Sequence, residues 1–493
     1  MKKKQNFDSL VLVVGLLIIV LIGVPWCVTA ANAAIDEDLF QKMVSKYSYQ
    51  KIVCLDVGEQ YVFVLKNGTK KSIKLVSVRE HPDSVLRKLR WAEVNITING
   101  KPVQLISAPY VMPTEVNGLR IQADTTSGWL KIPKRVQFSL WDATDPIVKT
   151  DQLAFPIANY LLLSHGIQNY NEVFHLGRKD GNPNGPKGYH NYGIDFAGYE
   201  GGESVLSPID GTVIEIWSEK WDYCCITIED ENGFVWALCH LDSKMPYIVD
   251  GLHVTKGQPI GVLGMQCSSG RFSHLHVGTY FRAPDGKVDN KDRNLRLNLY
   301  PWFVAAYKQL PARPSLFAVA RPHHSVTAGD EVRFDGSNSL AFESKIAAYR
   351  WQFHDGQTID NAIAKRTFAQ PGTFIATLFI KDDKGAEDID FCKVKVYPIN
   401  GQLKGIPTIF MTYTPTMNIL PHQPVQFRMW VQGADEKTPI KVDFGDGTII
   451  NDYKSFSKIQ HKFKTSGIHV IAAVAKVNDL PITQKQKVIV KEK

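Results

Sequence analysis

The 493-residue sequence predicts a mainly β protein assembled from several small domains. Three observations point there. Short β-branched and aromatic runs recur along the chain, separated by turn pairs such as Asn67-Gly68, Asn99-Gly100 and Asn232-Gly233. The 26 prolines and 36 glycines are dispersed, as many short strands and turns require. The chain is also too long for one hydrophobic core, so three or four domains are expected. With 44% hydrophobic and 22% charged residues, the composition is that of a folded chain and excludes disorder. The net charge of +8 mildly favours an anionic partner and serves plain solubility equally well. No dense Lys/Arg stripe is present, so nucleic acid is not an expected partner.

The N-terminus reads as a signal peptide over residues 1–33. Lys2, Lys3 and Lys4 form a basic start, Leu10 to Val24 is unbroken apolar sequence, and Ala31-Asn32-Ala33 fits a signal-peptidase site. The apolar run is shorter than the roughly 20 residues of a spanning helix. Export is therefore expected, to a periplasmic, cell-surface or secreted location, with an uncleaved membrane anchor as the alternative. Trp26 precedes Cys27 where a lipoprotein signal wants a small residue, so lipidation is not expected.

Six cysteines follow: Cys54, Cys224, Cys225, Cys239, Cys267 and Cys392. None shows CxxC zinc spacing. Tyr223 to Leu241 reads as a hairpin turning at Asn232-Gly233, which brings Cys224 or Cys225 near Cys239. A cross-strand disulfide and buried thiols are both open readings.

Residues 35–150 read as a β-sandwich domain without a catalytic constellation, with Ser84 to Trp91 as a short helix. Residues 157–310 carry the chemistry. Residues 313–397 and 405–491 read as two copies of one module. The first has Phe334-Asp335-Gly336-Ser337, Trp351-Gln352-Phe353-His354-Asp355-Gly356 and Pro371-Gly372-Thr373-Phe374. The second has Val442-Asp443-Phe444-Gly445-Asp446-Gly447, with Ser466-Gly467 where the first has Pro371-Gly372. The pattern resembles the PKD-type immunoglobulin-like domain, more weakly in the second copy. The resemblance implies spacers, or glycan- or protein-binding surfaces. The aspartates in these turns are expected to close Asx turns and not to bind metal.

Three pieces in the 157–310 region suggest a site. In Ser273-His274-Leu275-His276-Val277, strand alternation puts His274 and His276 on one face, with Leu275 and Val277 toward the core. His240 ends the apolar strand Trp236-Ala237-Leu238-Cys239. Tyr189-His190-Asn191-Tyr192-Gly193-Ile194-Asp195 holds a histidine and an aspartate, both good zinc ligands. Taken singly, each reads as well as a structural or solvated histidine. Between them lie Ser207-Pro208-Ile209-Asp210-Gly211-Thr212-Val213 and Lys256-Gly257-Gln258-Pro259-Ile260-Gly261. The ordered series, over about residues 185–283, resembles the lysostaphin/LytM family of zinc endopeptidases.

That resemblance implies a compact β peptidase domain with a groove and one Zn2+, acting on peptidoglycan or another peptide substrate. It gives the metal to His190, Asp195 and His276, and the catalytic places to His240 and His274. One departure matters. The family spaces its first ligand four residues before the aspartate, and here that position is Asn191. Either a bulge at Asn191-Tyr192 re-aims His190 at the metal, or Asn191 takes the place and the site is weakened. The second case implies a catalytically inactive domain that binds cell wall or regulates another hydrolase. The loop from Gly264 to His274, with Cys267, is one residue longer than the pattern.

Overall fold

Strand formation follows the alternation of apolar and polar residues. Leu89–Ile98, for example, buries every second side chain along most of its length. The computed structural model describes residues 37–85, 87, 89–129, 132–157, 174–175, 189–190, 193–196, 203–219, 222–264, 274–281, 297–311, 313–399, 406–416 and 418–492. It is mostly β, with two α-helices among these residues. Neither helix is long and apolar enough to cross a membrane, and Leu10–Val24 lies outside the described residues.

Strands between Lys51 and Asp142 form two four-stranded antiparallel sheets. Their inner faces share one core, which includes Ile73, Val94, Ile96, Ile121, Phe138 and Leu140. The short helix expected at Ser84–Trp91 is not there. Leu89, Arg90 and Trp91 instead open the strand Leu89–Ile98. His81 stacks on Trp91 with ring centroids 3.8 Å apart, and Arg90 Nε donates to Asp83 Oδ2 at 3.0 Å. These contacts across the hairpin outweigh local helix propensity.

A helix does form where none was foreseen, at Glu37–Tyr47. It buries Phe40, Met43, Val44 and Tyr47, one face at i, i+3, i+4 and i+7 spacing. Tyr47 carries that face onto the next domain. Its ring lies 5.5 Å from Phe234, 5.7 Å from Trp236 and 6.1 Å from Trp302. Its hydroxyl donates to Asp230 Oδ2 at 2.6 Å. Burial and that carboxylate push the phenol far above its ordinary range, so it remains a donor. Asp230 also accepts from the Asn232 and Phe234 N–H groups, and so closes the hairpin turn that the helix caps.

The central region has a six-stranded antiparallel sheet. Its order is Ile194–Phe196, Leu275–Phe281, Phe234–Cys239, Asp222–Glu229, Gly211–Glu219 and His253–Val254. A three-stranded sheet of Ser204–Leu206, Pro259–Leu263 and Leu241–Lys244 lies alongside in sequence. The helix Tyr300–Tyr307 is apolar nearly all round and almost wholly buried. Its Trp302 Nε1 donates to Gln50 Oε1 at 2.9 Å, a second tie to the N-terminal domain.

The two C-terminal modules are not separate beads. Strands of both join one nine-stranded sheet through a parallel contact between Gly372–Asp382 and Leu480–Val490, at Thr373 and Ile482. Beside this joint the buried Lys487 Nζ donates to Asp388 Oδ1 at 2.5 Å and to the Ile389 carbonyl at 2.7 Å. Asp335, Asp382, Asp443 and Asp446 each accept a backbone N–H two residues on, the Asx turns that the sequence predicts.

The Tyr47 hydroxyl is the testable part of the helix contact. Tyr47→Phe removes a donor from a buried carboxylate and is expected to cost about 1–3 kcal/mol. Denaturant unfolding measures it, and an unchanged midpoint would show that Asp230 is satisfied without the phenol.

Candidate metal centre and histidine groove

The site is assembled by register. Ile194–Phe196 pairs antiparallel with Leu275–Phe281, so that Asp195 stands directly opposite His276. Directly opposed residues project from the same face. Asp195 Oδ1 and His276 Nδ1 meet at 2.8 Å, hydrogen-bond distance. The carboxylate is buried, while the imidazole is partly open. On the other face Leu275 and Val277 are fully buried, as alternation predicts.

His240 and His274 form the second pair, with ring centroids 4.4 Å apart. His240 also lies 6.1 Å from the His276 ring. It joins Phe234–Cys239 to Leu241–Lys244 with a φ of 73°, the left-handed region. Gly264 bridges the pair through its backbone, donating to the His240 carbonyl at 3.0 Å and accepting from the His274 N–H at 3.2 Å. Four of the five expected residues, Asp195, His240, His274 and His276, therefore lie together.

The fifth is placed only by its backbone. Tyr189–His190 pairs with Phe174–His175, His190 opposite Phe174. The side chain of His190, and Asn191 and Tyr192 with the bulge expected there, lie outside the described residues. So does the 265–273 loop with Cys267. Among the described residues no group of three or more His, Cys, Asp or Glu is placed to hold a metal. Two donors that suit zinc are in contact there, a carboxylate oxygen and an imidazole nitrogen.

Residues 189–289 match the family model described as peptidase family M23, and residues 313–396 match that of the PKD domain. The chain carries an M23 peptidase domain and a PKD domain. It is similar to collagenase ColA of Clostridium perfringens, 32% identical over 79 residues, which are 16% of this chain and 7% of that one. A ColA of Bacillus cereus is 29% identical over 73 residues, 15% of this chain and 8% of that one. The matched stretches thus span less than a tenth of either collagenase. Among solved structures it is similar to a putative glycyl-glycine endopeptidase LytM from Ruminococcus gnavus, at 22% identity. That match covers 32% of this chain and 62% of that one, with a TM-score of 0.22. The peptidase lysostaphin from Staphylococcus simulans matches at 15% identity over 48% of this chain and 92% of its own, TM-score 0.21.

One residue that shapes the site, Gly193, stands outside the set that the sequence marks. Gly193 lies against the metal-ligand candidate: a Cβ there would meet His276 Cε1 at 2.6 Å, His276 Nε2 at 2.7 Å and the Val277 carbonyl at 2.3 Å. A glycine two residues before Asp195 was the available signal. Cys225 pairs with Cys239, settling the choice between Cys224 and Cys225 that the hairpin left open. Cys225 is buried.

Glu203 adjoins the groove frame through its backbone, its carbonyl accepting from Leu263 N–H at 2.9 Å, one residue before Gly264. Burial pushes its carboxyl up to about 8.

Gly193→Ala has no room without moving His276 or the Val277 backbone, and is expected to destabilise the domain by about 1–3 kcal/mol. Thermal unfolding checks this, and a wild-type melting point would mean that the strand relaxes freely. Glu203 gives a pH signature. Because its folded pKa is raised, its neutral form contributes stability that is complete below the unfolded value and lost as pH rises through about 8. Glu203→Gln should therefore be more stable than wild type near pH 8 by roughly 1–3 kcal/mol after allowance for solvent screening, with no difference near pH 4. Parallel stability curves for the two proteins would contradict this.

Proposed function

We propose that this chain is an exported zinc-dependent metalloendopeptidase that hydrolyses peptide bonds in peptidoglycan cross-links. The observation that carries the reading is the meeting of the Asp195–His276 pair with the His240–His274 pair in an M23 domain. Asp195, His276 and His190 would hold the ion, a three-ligand set that leaves a position for chemistry. Zinc bound there supplies Lewis acidity toward a scissile carbonyl and makes a nucleophilic water available at neutral pH. His240 and His274 supply proton handling. A neutral imidazole takes the proton of the attacking water, and a protonated one donates to the developing oxyanion. Their 4.4 Å separation lets both face one reacting centre. Export follows from the basic and apolar N-terminal segment, and the positive net charge suits an anionic wall polymer. The PKD domain and the module after it serve as spacers or as glycan- or protein-binding surfaces.

One observation favours a second reading. Asn191 stands four residues before Asp195, where the family has its first ligand, and an amide is a poor zinc donor. An inactive M23 domain that binds cell wall, or regulates another hydrolase, would tolerate it.

Metal analysis separates the two. The purified chain is expected to hold about one zinc ion, to lose it in His190→Ala, and to lose peptide cleavage with a chelator. His240→Ala and His274→Ala should keep the ion and lose about 10²–10⁴-fold in turnover. Wall binding without zinc, and no cleavage under any metal load, would establish the inactive reading instead.

A further inference from the structure

We infer that the Cys225–Cys239 disulfide is a positioning element of the histidine groove, holding His240 in the conformation that faces it toward His274 and His276. Its catalytic consequence rests on the peptidase reading above.

The first observation is a row across four strands. Cys225 opposes Cys239, Cys239 opposes His276, and His276 opposes Asp195. Opposed residues share a face. The disulfide is thus the lateral neighbour of the Asp195–His276 pair.

The second observation concerns the next residue. Strict alternation would send His240 to the face opposite Cys239, away from His274 and His276. It reaches them because its φ is 73°. A left-handed backbone is strained for a non-glycine residue and persists only where the surroundings impose it. Cys225 and Cys239 form the last pair of their ladder, and Cys239 and His276 the last pair of theirs. Ladder ends are where strands fray. A bridge serving stability alone could sit anywhere along this hairpin. This one sits on the end pair next to His240, where a fixed Cys239 leaves the turn one way to go. The Gly264 N–H then holds the His240 carbonyl from the other side.

The test uses the full chain with zinc, as wild type, as wild type reduced by a phosphine, and as Cys225→Ala/Cys239→Ala. Phosphine, water and the disulfide give two thiols and the phosphine oxide. A thiol reductant is avoided because thiolates bind zinc. In the bridge-free forms, kcat is expected to fall on the order of 10- to 100-fold. KM and zinc content should stay within about twofold, because the Asp195–His276 pair is made by the ladder itself. Reoxidation should restore the reduced wild type, and phosphine should do nothing further to the double variant. The histidine ring signals in NMR give a readout independent of turnover: the His240–His274 contact should weaken on loss of the bridge.

Unchanged kcat and an unchanged His240–His274 contact, in protein shown by mass spectrometry to lack the bridge, would overturn the proposal. So would zinc content and stability falling together with kcat, which marks a plain structural staple. Should the double variant fail to fold, the reduced wild type decides. If wild type cleaves nothing, the peptidase reading has failed, and the NMR contact still decides the positioning role.

Discussion

The register between Ile194–Phe196 and Leu275–Phe281 is the constraint on which the site depends. It has no half-measures. A slip of one residue would turn His276 inward and put Leu275 and Val277 on the open face. The burial of those two side chains therefore fixes the position of the imidazole, and the imidazole fixes the partner of a buried carboxylate. A carboxylate this buried requires a hydrogen bond or a cation beside it. Gly193 belongs to the same constraint, because only a residue without a side chain lets its strand approach the His276 ring so closely.

The rest of the chain buttresses that sheet. On one side the helix Glu37–Tyr47 fastens the N-terminal sandwich to the hairpin through Tyr47 and Asp230. At the C-terminus the shared nine-stranded sheet makes the last two modules one body, with the Lys487–Asp388 pair buried beside the joint. A buried ion pair adds little net stability, but misaligning it strands a charge in an apolar setting. It acts as a check on how the modules meet. Contacts at Tyr47–Asp230, Gln50–Trp302 and Thr373–Ile482 accordingly tie the described domains to one another.

The sequence made the central β domain legible because its signals are local and ordered. His274 and His276 share a face by alternation alone, and the turn motifs between the histidines appear in a fixed order. Other features depended on distant partners. The helix at Glu37–Tyr47 has a clear apolar stripe, yet the long run of strands beside it makes the whole stretch read as β. Ser84–Trp91 has helical composition, but the His81–Trp91 stack and the Asp83–Arg90 pair form only once two strands meet. The union of the two terminal modules turns on a single parallel contact, for which no local pattern exists. His240 is the instructive case. The sequence places it at a strand end, but its access to the groove comes from a positive φ, a backbone choice that composition does not announce.

The Asp195–His276 contact has one more consequence for the chemistry. The Asp195 carboxylate and the His276 imidazole are already in hydrogen-bond contact, a tie between the two strands in either reading of the domain. A cation must offer more than the charge-assisted hydrogen bond it replaces, which is worth about 1.5–3 kcal/mol. Two protein donors give little margin over that cost. A third strong donor changes the balance, because it adds a bond to the ion with no further contact to break. On the peptidase reading proposed above, His190 would bring an imidazole to the pair; on the inactive reading, Asn191 would bring an amide, a poor zinc donor. The same two side chains thus fit either proposed reading, and the one-residue offset between His190 and Asn191 is the sequence feature that separates the two.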